Sequence, residues 1–404
     1  MLKPKLLLVA CISAIVVSLH AQTAGPARVL AIGDIHGSLD GLVTILTRTK
    51  LIDAGRRWIG GTAILVQTGD MTDRGAGVRG VMDLLMALEP EARKAGGQLI
   101  VLLGNHEVMN LVGETRDATP EIFATFAERD SEKRRDEAWR QYEQLARARQ
   151  ATGGAVPAVY LQPRAAWMAA HPPGYLEYRE AFGPRGTYGR WLRSKAPAVR
   201  VAGTAFMHAG VNPSGGEMTL EDVNDQVKEE LERFDAYLRA LVDRKLALPF
   251  FSLREVLEVT VAELTVAAEK LSADKENRVA PSPALDSRGL RDAVSVYDIA
   301  KWNILAPDGP MWFRGYATWP DTAGSSVTAA LQRLRAERVV VAHTPQRGIV
   351  ARFDNRVFLI DSGMLASVYK GRPSALEIKD AGLKAIYPDE EVVLVASGAL
   401  ASGR

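Results

Sequence analysis

The sequence predicts an α/β fold, and three observations predict it. Short apolar, β-branched runs recur along the chain and each ends at once on Gly, Asp, Asn or His. Segments with helical periodicity separate the first three of these runs, and two long stretches further on are charged and helical in pattern. Short continuous apolar runs bounded by turn residues suit strands buried on both faces.

In chain order, residues 28–32 lead into Gly33-Asp34-Ile35-His36-Gly37, and residues 63–67 lead into Gly69-Asp70-Met71-Thr72-Asp73-Arg74-Gly75. Residues 99–103 lead into Gly104-Asn105-His106-Glu107. Later, 203–207 run into His208-Ala209-Gly210, 339–342 into His343-Thr344-Pro345, and 356–360 into Asp361-Ser362-Gly363, with a last run at 391–395. Segments 39–48 and 78–94 read as helices, the second carrying Val81, Leu84, Leu85 and Leu88 on one stripe. Asp34 precedes Asp70 by 36 residues and Asp70 precedes Asn105 by 35, one strand-helix-strand unit each time. Two successive right-handed crossovers bring the three loops to one sheet edge.

The middle of the chain differs. Residues 114–200 are rich in Arg, Glu, Ala and aromatics and are interrupted at His171-Pro172-Pro173-Gly174, while 219–275 read as long helices opened by Thr219 with Asp222 three positions later, a variant capping box. Because ligand-type motifs flank each insertion, both are expected to form a helical cap on one α/β domain spanning 27–404, with boundaries near 114–200 and 216–300.

At 404 residues, 47% of them apolar, the chain can bury a sizeable core, which excludes disorder as its main state. Lys3 and Lys5, the apolar run 6–19 and the small residue Ala21 before Gln22 have the form of a cleaved export signal over residues 1–21. The run is too short for the roughly 20 residues that a membrane-crossing helix needs. Leu8-Val9-Ala10-Cys11 is a less fitting lipidation site, because the apolar run continues past it. A periplasmic or secreted location is expected, without stable membrane insertion.

Cys11 is the only cysteine, so the mature chain has no disulfide or thiolate ligand, and any metal must be held by oxygen and imidazole. Loss of residues 1–21 leaves 48 basic and 48 acidic residues, which gives no electrostatic reason to expect nucleic acid or an anionic membrane as a partner.

Of the six histidines, His20 lies in the leader, and four of the other five directly follow predicted strands. Imidazole, carboxylate and amide oxygen form a ligand set for Fe, Mn, Zn or similar ions. Alone, each motif has a plain structural explanation. Gly-Asp-x-His suits an Asx-turn, the 69–75 loop suits a helix-capping loop, and His208 or His343 suits a strand end. All five recurring in order at strand exits is the stronger observation, and it points to a metal site.

Gly-Asp-x-His-Gly, Gly-Asp-x-x-Asp-Arg-Gly, Gly-Asn-His-Glu, His-x-Gly and a late histidine, in this order, resemble the calcineurin-like metallophosphoesterases of the phosphoprotein phosphatase type. The leader, the insertions and Tyr188-Gly189-Arg190-Trp191-Leu192-Arg193 before Met207-His208-Ala209-Gly210 resemble the bacterial Shewanella-like phosphatases. The resemblance implies a layered β-sheet sandwich flanked by helices. Two departures stand out: Ala209 replaces a common glycine, and His343 lacks the second histidine of the broader superfamily, which favours the protein-phosphatase arrangement over the phosphodiesterase one.

The resemblance assigns Asp34, His36 and Asp70 to one metal ion and Asp70, Asn105, His208 and His343 to a second, with Asp70 bridging. The ions would be divalent or trivalent (Mn, Fe or Zn), and two ions about 3.5–4 Å apart can share a hydroxide that attacks phosphorus. His106 is the expected general acid, oriented by Asp73. Arg74, by motif, and Arg314 in Pro310-Met311-Trp312-Phe313-Arg314-Gly315 are the expected phosphate-binding forks.

Asp361 reads as a turn former, His171 as a surface or cap residue, and Lys133-Arg134-Arg135 as a solvated helix face. The aromatics Trp167, Tyr175, Tyr178, Phe182, Tyr188 and Trp191 read mainly as cap core. The expected activity is phosphomonoester hydrolysis on phosphoproteins or phosphopeptides, at Ser, Thr or Tyr. The alternatives are hydrolysis of a nucleotide, dinucleoside polyphosphate or other small phosphoester, and a binding protein that has lost catalysis but would not be expected to keep every ligand.

Overall fold

The apolar runs become strands of three to five residues, in a computed structural model that describes residues 28–151, 156–213, 218–380 and 382–397. The export signal read at 1–21, with Cys11 and His20, lies outside the described residues. The strands are β1 (Val29–Ile32), β2 (Ile64–Gln67), β3 (Gln98–Val101), β4 (Ala198–Val201), β5 (Thr204–Met207), β6 (Arg338–Val341), β7 (Val350–Arg352), β8 (Val357–Leu359), β9 (Ala375–Lys379), β10 (Gly382–Ile386) and β11 (Glu391–Val395).

They form two sheets. The six-stranded sheet has the order β11-β10-β9-β1-β2-β3 and the five-stranded sheet the order β4-β5-β6-β8-β7. Each has a parallel heart: β1 pairs with β2 and β2 with β3 in one, β5 with β6 and β6 with β8 in the other. The antiparallel strands lie outside these hearts. The helices Leu39–Arg48 and Val78–Lys94 are the crossovers, with the bounds that the apolar periodicity predicts.

Alternation along the strands sets the layers. Val29, Ala31 and Val66 from one sheet meet Phe206, Val340 and Phe358 from the other in a common buried cluster. The residues between them, Leu30 and Ile32 on one side and Ala205, Met207, Val339 and Val341 on the other, point outward into two further cores under helices. The result is helices, sheet, sheet, helices.

Both insertions are helical. The first contains Ser131–Gln150, Arg164–Ala170, Tyr175–Phe182 and Thr187–Arg193, and the second Leu220–Asp243, Leu253–Lys275 and Ser287–Tyr297. Thr219 caps the helix Leu220–Asp243 reciprocally with Asp222, and Ser252 does the same with Glu255 for Leu253–Lys275. Tyr142, Trp167, Phe234 and Phe251 belong to the same buried cluster as Leu30 and Leu65 of the six-stranded sheet. Among the described residues no helix is long and apolar enough to cross a membrane.

Candidate metal centre

The C-terminal ends of the parallel strands point to one place, where open α/β sheets bind ligands. Asp34 and His36 follow β1, Asp70 follows β2, His208 follows β5, His343 follows β6 and Asp361 follows β8. Asn105 and His106 open the helix Asn105–Val112 just beyond β3. All of these side chains are buried.

The loops carry backbone strain. His36, Asp70, Asp73, Arg74 and His343 all have φ between 46° and 68°, a conformation that non-glycine residues adopt at a cost of about 1–3 kcal/mol each. Gly69, at φ 95°, precedes Asp70 because a Cβ there would lie 2.3 Å from the Gly104 backbone nitrogen. Two turns of the site thus touch backbone to backbone.

Asp70 sits at the centre. Its Oδ2 lies 3.6 Å from His36 Nε2, 3.8 Å from His106 Nε2 and 3.3 Å from His208 Nε2. Donor atoms of His36, Asp70 and His106 form one group within 4.8 Å of one another, and those of Asp70, His208 and His343 form another. Asp34 Oδ2 is 3.8 Å from His36 Nε2, and its Oδ1 accepts the His343 backbone N–H at 3.2 Å.

The outer hydrogen bonds fix which ring nitrogens carry protons. His208 Nδ1–H donates to the Thr68 carbonyl and His343 Nε2–H donates to the Trp312 carbonyl. His208 Nε2 then presents a lone pair to Asn105 Oδ1 at 2.8 Å and to His343 Nδ1 at 3.1 Å. Lone pairs that converge in this way, beside a carboxylate, repel one another unless a cation stands among them. These residues fit a metal ion by that test, and the oxygen and imidazole donors suit Mn, Fe or Zn.

The electrostatics of the cluster support the fit. Burial, then the charges of Asp361 and Asp70, push the Asp34 carboxyl well above its usual range. For Asp70 burial acts upward too, but the facing His208, His106 and His36 rings outweigh it and hold the carboxyl well below that range. Burial lowers His36 to about 3, and burial with the neighbouring His208 lowers His343 to about 2, so both rings stay neutral and able to donate a lone pair. His106 differs: burial would lower it, but the Asp70 charge and the Asp73 hydrogen bond and charge hold it above its ordinary value.

Sequence reasoning missed the role of Glu107. Fully buried, its carboxylate accepts the backbone N–H groups of Gly104, Asp70, Met71 and Thr72 at 2.7–3.0 Å and the Thr72 hydroxyl at 2.9 Å. It ties the β2 loop to the β3 loop. The signal was in the string Gly104-Asn105-His106-Glu107, where a glutamate three positions into a helix has the form of a capping residue. Glu107→Ala strands several buried donors, so the folded state is expected to lose about 3 kcal/mol or more, read as a lowered midpoint in urea. An unchanged midpoint would remove that role.

The pair expected for proton transfer is formed. His106 Nδ1–H donates to Asp73 Oδ2 at 2.7 Å. Arg74 reaches the centre, its Nη1 donating to His36 Nε2 at 2.7 Å, and the Tyr369 ring lies 5.3 Å beneath its guanidinium and 5.7 Å from the His36 ring. A cation at His36 Nε2 and this Arg74 contact exclude each other. Arg314 Nη1 donates to the His343 carbonyl and the Thr344 hydroxyl at 2.9 and 3.0 Å, which places this arginine beside His343.

Asp361 does form a turn, accepting the Gly363 N–H at 2.9 Å, but it also lies against Asp34 in the site, which its sequence context did not suggest. His171 is a buried cap residue, not a surface one: its Nδ1–H donates to the Trp167 carbonyl and its ring stacks on Trp167 at 4.0 Å. Lys133, Arg134 and Arg135 lie on Ser131–Gln150, with Arg134 paired to Glu180 and Arg135 to Glu132. Trp167, Tyr175, Tyr178, Phe182 and Tyr188 are buried in the cap, and Trp191 is half-buried against it.

Comparison with known proteins identifies the family. The calcineurin-like phosphoesterase family model matches residues 27–240. An uncharacterized protein of Schizosaccharomyces pombe is 27% identical over 388 residues, 93% of this chain and 86% of that protein. Shewanella-like protein phosphatase 1 of Plasmodium berghei is 24% identical over 367 residues, 89% of this chain and 74% of that one. In three dimensions, the crystal structure of the cold-active protein-tyrosine phosphatase of a psychrophile, Shewanella sp., matches at a TM-score of 0.56 and 22% identity, covering 92% of this chain and 81% of that chain, which shows a shared fold. The chain belongs to the calcineurin-like phosphoesterase family and is a metal-dependent phosphoester hydrolase.

Proposed function

We propose that the protein is a dinuclear-metal phosphomonoesterase that acts on phosphorylated Ser, Thr or Tyr in proteins or peptides. The observation that carries this reading is the convergence of His36 and His208 on one oxygen of Asp70, with Asn105 and His343 meeting the same His208 Nε2, beside the His106–Asp73 pair. Asp34, His36 and Asp70 would hold one ion, and Asp70, Asn105, His208 and His343 the other. When bound, the pair supplies Lewis acidity at phosphorus and a water acidified enough to act as nucleophile near neutral pH.

The chain's own residues supply the rest. Arg74 turns its planar fork from His36 to the phosphate oxygens, and Arg314, anchored through one nitrogen by His343 and Thr344, offers the second. His106 gives its Nε2 proton to the departing alkoxide or phenoxide, while Asp73 keeps the Nδ1–H and stabilises the imidazolium. The likeness along most of the chain to Shewanella-like protein phosphatase 1 of Plasmodium berghei supports a phosphoprotein over a small phosphoester.

A substrate panel on the purified, metal-loaded protein tests this. Phosphopeptides are expected to give the highest kcat/KM, above nucleotides and above a diester dye. A clear preference for diesters or nucleotides would contradict the reading. The leader at residues 1–21 supports export. Protein recovered from the periplasm or medium is expected to begin at Gln22 by intact mass, and a full-length chain retained in the cell would contradict export.

A further inference from the structure

The cap reaches the candidate acid through one buried amide. Asn110, fully buried on the helix Asn105–Val112, donates through Nδ2 to Asp73 Oδ1 and to the His106 carbonyl, both at 2.9 Å. Its Oδ1 accepts the Tyr178 hydroxyl at 2.5 Å. Both ends of the amide are therefore engaged, and turning it over would set its oxygen against the Asp73 carboxylate. Only one orientation is satisfied.

Tyr178 is itself immobilised. Its ring is fully buried among Phe123, Phe126 and Phe182, at centroid distances of 5.2, 4.9 and 4.4 Å. Burial, followed by the Asp73 charge, pushes its phenol well above the ordinary value, so it remains a donor. The next residue on the same cap helix, Arg179, donates Nη1 to the Asn110 carbonyl at 3.1 Å. Two successive cap side chains thus grip Asn110, one at its amide and one at its backbone.

We propose that Asn110 and Tyr178 are positioning residues for proton delivery: the cap helix Tyr175–Phe182 holds Asn110, Asn110 holds Asp73 Oδ1, and Asp73 Oδ2 aims His106. A carboxylate bonded at one oxygen alone can swing about its terminal torsion, and the ring that leans on it swings with it. Bonding both oxygens removes that freedom. The cap is then a working part of the site and not only a cover. The inference rests on the assignment of His106 as general acid.

The test uses the full-length, metal-loaded protein and a series of aryl phosphates whose leaving groups range from weakly to strongly basic. A departing group that is a poor base needs no proton, so a defect in proton delivery grows with leaving-group basicity. His106→Asn is expected to show the largest growth. Asn110→Ala is expected to lose about tenfold in kcat on the most basic leaving group and little on the least basic, with KM and metal content unchanged. Tyr178→Phe, which keeps the ring and its packing, is expected to follow in the same direction with a smaller loss. Equal losses across the series, or a change confined to KM, in both Asn110→Ala and Tyr178→Phe would overturn the proposal while leaving the His106 assignment intact. A His106→Asn variant without any leaving-group dependence would overturn both.

Discussion

Asp70→Asn is expected to lower phosphomonoesterase turnover by about a thousandfold or more, because several kcal/mol of transition-state stabilisation by metal ions depend on that side chain. One carboxylate oxygen faces His36, His106 and His208 together, and the other accepts the His106 backbone N–H at 3.0 Å. Asparagine keeps the size but gives up the charge and one of the two oxygens. The remaining imidazoles then have no anion at their common centre. Metal analysis of the purified variant should show fewer than two ions per chain, and its circular dichroism should match the parent. Two ions retained with normal turnover would place the centre elsewhere.

His106→Asn is the second large effect. A positioned acid contributes about 10²–10⁴ in rate, and the loss should fall on kcat for substrates with basic leaving groups. Metal content should stay at two ions, since His106 belongs to neither proposed ligand set and its raised affinity for a proton, held against burial by Asp70 and Asp73, suits an acid. This separates acid from ligand, a distinction that proximity does not make, because His106 Nε2 lies as near to Asp70 Oδ2 as a ligand would. If the variant loses an ion, His106 is a ligand and the proton must come from elsewhere.

Much of the site was legible because it is written at strand exits. A short apolar run followed by Gly-Asp or Gly-Asn carries its own boundary, so the positions of Asp34, Asp70, Asn105, His208 and His343 relative to the sheets followed from local pattern. The crossover helices were legible for the same reason. Strands β4, β7, β9 and β10 were less so. They lie outside the parallel hearts of the sheets, and β7 is half-buried along its length, so no continuous apolar run announces it.

What the sequence did not disclose are contacts between residues distant in the chain. Tyr178 meets Asn110 across 68 positions, and His343 meets Asp34 across 309. No periodicity encodes such a meeting. Asp361 illustrates the limit well: its turn was readable from Asp361-Ser362-Gly363, whereas its approach to Asp34 arises only when β8 is set beside β6 in the second sheet. The positive φ angles at His36, Asp70, Asp73, Arg74 and His343 were hidden for a related reason. Local preference disfavours them, and only the surrounding hydrogen bonds, such as those to Glu107, hold the backbone there.

Residues from five loops of the two sheets are proposed to seat a pair of cations about Asp70. Anomalous X-ray diffraction from crystals of the protein grown with Mn tests this most directly. Two anomalous peaks are expected, one on each side of the Asp70 carboxylate, the first contacted by Asp34 and His36 and the second by Asn105, His208 and His343. A single peak, or peaks away from these side chains, would contradict it.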